Sequence, residues 1–343
     1  MKNKVFGLDI GATTIKAVWL EKSKDGYILD AVYTMPAPTK GMLSESPLDQ
    51  EEMAGAIAKV IQEANIDARS ANIALPESQV FTKVIEMPIL SDKELASAIY
   101  WEAEQYIPVP LNTITLDYKV LYRPGPNDPV TKMNVLLVGA PSTLIDKYEK
   151  IMTMAGISIN ALETEILSVS RSLILGQEFP STLIINIGAL STSLAIVKSN
   201  VLTFTYFIPT GGVALSRAIA ADLGFSIPQA EEYKRAYGLE EANFGGKIGK
   251  AAEPVLTSIL SEVKKAMAFY TERFPQDPIK QILLSGGSAK LPGLSTYFAE
   301  NSGIESVVAN PWKVLASQEV PKEILDDAPE YAIAIGLAMR EYE

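Results

Sequence analysis

The residues best suited to chemistry in this chain follow one another near its start. Residues 5–16 read VFGLDIGATTIK, an apolar run that ends at Asp9 and is followed by a glycine, two threonines and a lysine. Gly11 has no Cβ, so its backbone can approach an anion closely and nearby N–H groups can point at it. Asp9 offers the oxygen ligand that Mg²⁺ binds, usually through water. The pattern is typical of a turn that holds a phosphate and its metal ion, although an ordinary β-hairpin would explain this segment alone equally well.

A second segment repeats this pattern in the other half of the chain. Residues 183–193 read LIINIGALSTS, with the same strand, Ile-Gly-Ala turn and hydroxyls, and Asn186 stands where Asp9 stood. Two such turns, each opening one half, predict a duplicated α/β fold that holds a phosphate between its halves. A third motif, KQILLSGG at residues 280–287, reads as a buried strand that runs into a glycine turn.

The composition excludes several kinds of chemistry. The chain has 343 residues, enough for two domains, and contains no cysteine and no histidine. This excludes disulfides, thiolate and imidazole metal ligands, and Ser-His or Cys-His catalysis. A net charge of −11 without a long basic cluster argues against nucleic acid or anionic lipid as a main partner. There is no apolar segment typical of a signal peptide or approaching ~18 continuous residues, so the sequence predicts a cytoplasmic protein that does not span a membrane.

The order of these motifs predicts a domain organisation. We expect a first lobe from residues 1–76 and 156–176, with a small subdomain, residues 77–155, inserted into it. We call residues 77–155 the inserted subdomain. The second lobe is predicted at residues 177–343, with its own insertion at about 213–278.

The elements that must position the motifs follow from hydrophobic periodicity and breaker residues. In the inserted subdomain, Ser91 followed by Glu94 predicts a capping box at the start of a helix that ends near Pro108. A helix at 161–176 is predicted to connect the two halves of the chain, and a last helix is predicted at 329–340. The remaining predicted strands and helices lie at 15–20, 27–35, 48–64, 71–75, 80–87, 113–121, 132–138, 141–155, 201–207, 215–222, 229–237 and 251–274.

These motifs in this order resemble the actin-like ATPase superfamily, which includes actin, sugar kinases, the seventy-kilodalton chaperones and the bacterial FtsA and PilM proteins. Residues 5–16 and 183–193 are similar to its two phosphate motifs, and residues 282–288 to its adenosine motif. The resemblance implies a duplicated, ribonuclease H-like fold with two lobes and the nucleotide in the cleft between them.

Within that superfamily the inserted subdomain resembles the PilM family of type IV pilus assembly. The similarity rests on EMPILSDKEL at residues 86–95 and AIYWEAEQYIP at residues 98–108. It implies binding of ATP with Mg²⁺, and binding of the cytoplasmic N-terminal tail of the inner-membrane protein PilN near the inserted subdomain. The protein would then reach the inner face of the inner membrane only through partners. Contacts with the motor ATPase and the platform protein, and assembly into a ring or homo-oligomer, stay open.

Carried over position by position, the resemblance implies specific site residues. Asp9 would bind Mg²⁺ through water, with Asn186 as a further water-mediated candidate. Glu231 and Lys234 would bracket the ribose and base, although a solvated helix face explains this pair almost as well. The full set of implied nucleotide contacts is Gly11, Ala12, Thr13, Thr14, Lys16, Gly188, Leu190, Ser191, Gly211, Gly212, Glu231, Lys234, Gly286, Gly287 and Ser288.

Aromatic and apolar residues of the inserted subdomain are the candidates for peptide contacts. Phe81, Met87, Trp101 and Tyr106 could line a groove that takes an extended peptide. The alternative is that they form the core of the subdomain itself.

One departure from the superfamily bears on mechanism. Its active ATPases usually carry an Asp where this chain has Asn186, and an amide can neither carry charge nor accept a proton. The sequence therefore predicts MgATP binding with slow or absent hydrolysis. Glu163 and Glu165 are candidates for a carboxylate that activates water, but acidic residues at a helix start also complement the helix dipole.

Two other functions fit the same fold. An FtsA-like division or cytoskeletal ATPase usually ends in a linker and an amphipathic membrane-targeting helix, whereas this sequence stops at residues 339–343, MREYE. A small-molecule kinase, acting on a sugar or on acetate, would need a substrate-contacting loop and a base beside it, and neither is recognisable.

Overall fold

The computed structural model describes residues 4–128, 130–174, 179–316 and 320–342. In chain order the described strands are β1 (Val5–Ile10), β2 (Thr14–Lys22), β3 (Tyr27–Pro36), β4 (Ser70–Leu75), β5 (Phe81–Pro88), β6 (Ile114–Tyr122), β7 (Lys132–Pro141), β8 (Ser158–Thr164), β9 (Thr182–Ile187), β10 (Thr192–Lys198), β11 (Val201–Ile208), β12 (Gln281–Ser285) and β13 (Glu305–Val308). The α-helices are α1 (Pro47–Glu63), α2 (Asp92–Tyr106), α3 (Ser142–Met154), α4 (Glu165–Ile174), α5 (Gly212–Leu223), α6 (Ile227–Tyr237), α7 (Lys247–Arg273), α8 (Leu294–Ser302), α9 (Lys322–Leu325) and α10 (Ala332–Met339).

Two five-stranded sheets with the same topology form the body of the protein. The first has the order β3-β2-β1-β4-β8 and the second the order β11-β10-β9-β12-β13. In each, the first three strands form an antiparallel meander, and the first of them pairs in parallel with the fourth. Because β1 and β9 are central and covered on both faces, they are fully buried along their length and mostly apolar, with Asp9 and Asn186 near their ends. The duplicated, two-lobed α/β fold predicted from the repeat is confirmed.

The inserted subdomain contains a smaller antiparallel sheet, in the order β5-β7-β6. Helix α2 covers one face, where Ile85 and Met87 pack against Leu95 and Ile99. The predicted capping box is confirmed: the Glu94 N–H donates to Ser91 Oγ, and the Ser91 N–H donates to Glu94 Oε2 at 2.8 Å.

The other face of this sheet packs against the rest of the molecule. Leu136 of β7 belongs to one apolar cluster with Val169 of α4 and Ile184 of β9. The subdomain also reaches the second lobe through an ion pair between Glu86 and Arg273, at 2.5 Å. It is therefore held between the two lobes.

Helices α4 and α10 cross at close range between the lobes. A Cβ added to Gly336 would lie 2.5 Å from the carbonyl carbon of Ser168 and closer still to its oxygen. A Cβ on Gly7 of β1 would lie 2.6 Å from the backbone nitrogen of Ala338. Only glycine lets these backbones approach so closely.

Several sequence-based boundaries were wrong. Residues 161–164, predicted as the first turn of a connecting helix, belong to β8, which pairs in parallel with β4. Residues 328–331 form a 3₁₀ turn before α10. Strands β10 and β13 and helices α8 and α9 had no prediction. Gly176, the last residue of the predicted helix at 161–176, lies outside the described residues.

Candidate functional site

The first candidate turn joins β1 to β2. The Gly11 N–H donates to the Thr14 carbonyl oxygen at 3.0 Å, and a Cβ on Gly11 would lie 2.9 Å from that oxygen. Asp9 and Lys16 are cross-strand neighbours, both buried, with Lys16 Nζ 3.8 Å from Asp9 Oδ2. Lys16 also donates to Thr14 Oγ1 at 2.6 Å. The turn thus has a buried charge pair directly behind it, while Ala12 and Thr13 at its tip are exposed.

The second candidate turn repeats this backbone geometry without the charges. The Gly188 N–H donates to the Ser191 carbonyl oxygen at 2.9 Å, which is the same bond one repeat later. Asn186 takes the place of Asp9, and its cross-strand neighbour is Ser193 where the first turn has Lys16. Asn186 is buried, and its Oδ1 accepts no hydrogen bond from any residue that the structure describes. An unsatisfied buried acceptor of this kind is costly unless a ligand or water completes it.

Two further glycine segments close around the second turn. The Gly212 N–H donates to the Gly188 carbonyl oxygen at 2.9 Å, and a Cβ on Gly211 would lie 2.5 Å from the Ser191 nitrogen. Gly286 has φ +83°, and a Cβ there would lie 2.9 Å from Asn186 Oδ1. The structure therefore brings together the Gly211-Gly212 segment and the two segments predicted as the second phosphate motif and the adenosine motif. Among the predicted contacts here, Leu190 is exposed at the tip, while Ser288 lies beside Gly212.

Lys234 does not lie on a solvated helix face. It is 5% exposed and donates to the Gly212 carbonyl oxygen at 2.9 Å, to Ser216 Oγ at 2.9 Å and to Glu231 Oε2 at 2.7 Å. Burial lowers the pKa of Lys234, and the neighbouring Glu231 opposes that effect. Lys234 therefore holds the start of α5 in place, and Glu231, half-buried, holds Lys234.

The two candidate bases differ sharply in surroundings. The Glu163 carboxylate accepts hydrogen bonds from Arg171, at 2.5 and 2.9 Å, from Ser168 at 2.5 Å and from Arg340 at 3.1 Å. Both of its oxygens are engaged in joining α4 to the end of α10. This geometry argues against Glu163 as a base that activates water.

Glu165 stands at the first position of α4, partly accessible but surrounded by protein. Burial, together with the negative charges of Glu77 and Asp9, raises the pKa of Glu165 to about 8. The pKa of Asp9 is also raised, mainly by burial, with Lys16 opposing and Glu330 adding to the shift. The carboxyl groups therefore share one electrostatic environment at the ends of β1, β4 and β8.

Two acidic residues near the site were missed by sequence reasoning. Glu77 is buried just after β4, and Glu330 forms an ion pair with Lys290 at 2.7 Å beside the Gly286-Gly287 turn. A carboxylate directly after an apolar strand was the signal available for Glu77. Within the described ranges no three acidic side chains converge as a metal site. A metal ion here would take most of its ligands from phosphate and water, as Mg²⁺ commonly does.

The candidate partner contacts separate into buried and exposed residues. Met87 is 2% exposed and lies in the core between α2 and the sheet, so the prediction of a peptide contact was wrong for this residue. Phe81 and Tyr106 are partly buried at the edge of that core, and Lys83 Nζ lies 4.3 Å from the centroid of the Tyr106 ring. Trp101 is 73% exposed, beside exposed Tyr100.

Two shallow surface hollows lie elsewhere, one along α7 and one between β3 and α1, and neither is lined by a residue of the candidate site. In the described part of the chain, no helix combines the length and apolarity needed to cross a membrane.

The family model and a solved structure that match this chain agree with each other. The family model of type IV pilus assembly protein PilM matches residues 7–342. A solved structure of a PilM-PilN type IV pilus biogenesis complex matches with a TM-score of 0.86 and 27% identity, over 99% of each chain. Cell division protein FtsA of Streptococcus pneumoniae serotype 2 is 27% identical over 341 residues, covering 87% of this chain and 73% of that protein. The ethanolamine utilization protein EutJ of Carboxydothermus hydrogenoformans shares the fold, with a TM-score of 0.58 and 16% identity over 97% of this chain and 88% of that one.

Proposed function

Because this chain belongs to the PilM family of type IV pilus assembly proteins, we propose that it is the actin-like, nucleotide-binding component of a pilus assembly machine. In this role it binds the cytoplasmic N-terminal tail of PilN. It is cytoplasmic and reaches the inner membrane through that partner. The family match, together with the overall likeness to the PilM-PilN complex, favours this function over that of the FtsA relatives.

The observation that carries nucleotide binding is the pair of matching turns. Both close with a glycine N–H donating to the carbonyl oxygen three residues later, and the second leaves Asn186 Oδ1 buried and unsatisfied among the described residues. These features fit a nucleotide phosphate chain with Mg²⁺. Asp9 would hold the hydrated metal ion, the two turns would donate N–H groups to phosphate oxygens, and Lys234 would keep the Gly212 segment in position. MgATP supplies the phosphate charge and the cation that these groups would bind.

The same residues favour holding nucleotide over hydrolysing it. The first turn has Asp9 paired with Lys16, whereas the second has the neutral pair Asn186 and Ser193. Glu165 is the remaining candidate base, and burial raises its pKa to about 8, so at pH 7 only a minor fraction of it is ionised and able to accept a proton. We therefore propose slow turnover and a conformational role for bound MgATP.

The surface proposed for partner binding is on the inserted subdomain. Trp101 offers a large exposed aromatic side chain, the kind of residue that commonly anchors a peptide. Phe81 and Tyr106 border the same small core and are secondary candidates.

A peptide titration tests this function. A fluorescent peptide copying the N-terminal cytoplasmic tail of PilN is titrated with the protein, with and without MgATP, and a scrambled peptide of the same composition serves as control. Binding of MgATP is measured separately with a fluorescent ATP analogue. Binding of the tail peptide but not the scrambled one supports the proposal. Failure of the tail peptide to bind in either nucleotide state would refute it, whatever the result for ATP.

A further inference from the structure

Glu77 links two parts of the molecule that the chain separates widely. It lies in the short loop between β4 of the first lobe and β5 of the inserted subdomain, where the Gln79 N–H donates to the Pro76 carbonyl oxygen at 3.0 Å. Its side chain points back into the first lobe and is 6% exposed. This loop is one of the two chain connections between the sheet of the inserted subdomain and the first lobe, the other being the junction of β7 and α3.

The carboxylate of Glu77 caps the first connecting helix. Glu77 Oε1 accepts a hydrogen bond from the Ile166 N–H at 3.1 Å, and Ile166 is the second residue of α4. The first N–H groups of a helix have no partner within the helix, so an acceptor from elsewhere must satisfy them. The negative charge is also favourable at this end of the helix dipole.

Glu165, the first residue of α4, lies beside the same loop. The backbone N–H of Glu77 is near enough to the Glu165 carboxyl to lower its pKa, against the larger effect of burial. No salt bridge to Glu77 is found in the described ranges, although a buried carboxylate is costly without compensation. The hydrogen bond from the Ile166 N–H compensates in part, and burial still raises the pKa of Glu77.

We infer that Glu77 is a positioning residue that fixes the start of α4, where Glu165 stands, against the loop leading into the inserted subdomain. The consequence is a coupling between the phosphate end of the nucleotide site and the partner-binding subdomain. This coupling rests on the proposed function, that the chain binds both MgATP and the PilN tail. The positioning role itself does not depend on either ligand.

The positioning role is tested first, without ligand, by hydrogen exchange. In Glu77→Ala, amides in the first turn of α4 and in β5 exchange together about five- to tenfold faster than in the wild type, as expected when a helix cap is lost. Glu77→Gln, which keeps an acceptor oxygen, restores most of the protection. Ser91→Ala, which removes the cap of α2 inside the same subdomain, is the matched control and leaves α4 unaffected. Unchanged exchange at α4 in Glu77→Ala would overturn the proposal.

The coupling is tested by peptide affinity. The ratio of the peptide Kd without and with MgATP is measured for the same four proteins. In the wild type we expect MgATP to change the peptide Kd about fivefold or more, the ordinary range for coupled sites. In Glu77→Ala we expect MgATP to change it less than about twofold. Glu77→Gln and Ser91→Ala should keep the wild-type effect of MgATP.

The outcomes separate the coupling from the proposed function. A wild type that binds neither ligand refutes the proposed function, and the hydrogen-exchange result then decides the positioning role alone. A wild type that binds both ligands with a ratio of one overturns the coupling. So does a folded Glu77→Ala that keeps the wild-type ratio.

Discussion

The close crossing of α4 and α10 predicts opposite effects for two substitutions that look alike in sequence. Gly336 and Gly55 both lie inside helices, and replacing either with alanine gains the same helix propensity, about 0.8–1 kcal/mol. Gly55 is exposed on α1, and apart from the adjoining helix backbone and its chain neighbours no atom lies within 4 Å of an added Cβ. Gly55→Ala is therefore expected to raise the free energy of unfolding by about 0.5–1 kcal/mol.

At Gly336 the added Cβ meets backbone that cannot rotate away. The carbonyl carbon of Ser168 would be 2.5 Å from it and the Ser168 Cα 2.9 Å, so the two helices must separate by about 1 Å to reach normal contact of roughly 3.5 Å. Overpacking of a close-packed interior costs about 1–3 kcal/mol and sometimes more. After subtraction of the propensity gain, Gly336→Ala is expected to lower the free energy of unfolding by about 1–2 kcal/mol.

Urea unfolding followed by far-ultraviolet circular dichroism measures both variants, and the midpoints should move in opposite directions from the wild type. Nucleotide affinity should fall in Gly336→Ala only, because α10 also packs closely on β1 at Gly7, the strand that carries Asp9. If Gly336→Ala is stabilised as much as Gly55→Ala, the close crossing and the reasoning built on it are refuted.

Three further predictions concern the site and the partner surface. Glu165→Gln should stabilise the protein by a few kcal/mol above pH 8 and little near pH 5. In the folded wild type Glu165 keeps its proton up to about pH 8, whereas in the unfolded chain it loses the proton near pH 4.5. The stability of the wild type therefore falls as pH rises through that range, and the glutamine variant, which does not titrate, avoids this loss. Denaturant unfolding at pH 5, 7 and 9 checks this, and a difference that shrinks as pH rises contradicts it. Met87→Ala should lower the free energy of unfolding by about 2–5 kcal/mol, because Met87 is buried in the core of the inserted subdomain. Trp101→Ala should instead leave the unfolding midpoint unchanged and weaken tail-peptide binding about tenfold or more. An unaltered peptide Kd for Trp101→Ala argues against peptide binding at the surface around Trp101. ATP turnover by the wild type should stay well below ~1 per second, and a coupled-enzyme assay that finds a higher rate excludes a purely conformational role for the nucleotide.

The parts of the fold that could be predicted from the sequence are those determined by residues close together in the chain. The turns at Gly11 and Gly188 were predictable because each is set by a glycine between an apolar strand and its return strand. The α2 capping box was predictable because both of its partners lie within three residues. Strand β8 was not, because it forms only by pairing with β4, about 90 positions earlier.

The roles of charged residues depended on contacts far apart in the chain. Glu163 was a candidate base at a helix start, and its engagement by Arg340 comes from the other end of the sequence. Lys234 has the spacing of a solvated helix face, and only the approach of the Gly212 segment buries it. Glu77 became visible as a helix cap only once its contact with Ile166 was known. Periodicity cannot reveal such pairs, because it reports only which face of an element is apolar.

The two turns share a backbone geometry but differ in the charge behind them, and this difference favours nucleotide binding over hydrolysis. Both turns present the same glycine-closed backbone, and backbone N–H groups bind phosphate regardless of nearby side chains. The cross-strand pair directly behind each turn differs, in contrast: Asp9 and Lys16 are charged, whereas Asn186 and Ser193 are neutral. Hydrolysis requires a base and a metal ion held firmly in place, and Asn186 supplies neither a charged metal ligand nor a base where the first turn has Asp9. A second turn that keeps the phosphate-binding backbone but has no charged pair behind it is expected to bind nucleotide and to support only slow hydrolysis. Slow hydrolysis keeps the nucleotide bound, as is needed if it is to hold the two lobes together while a partner binds.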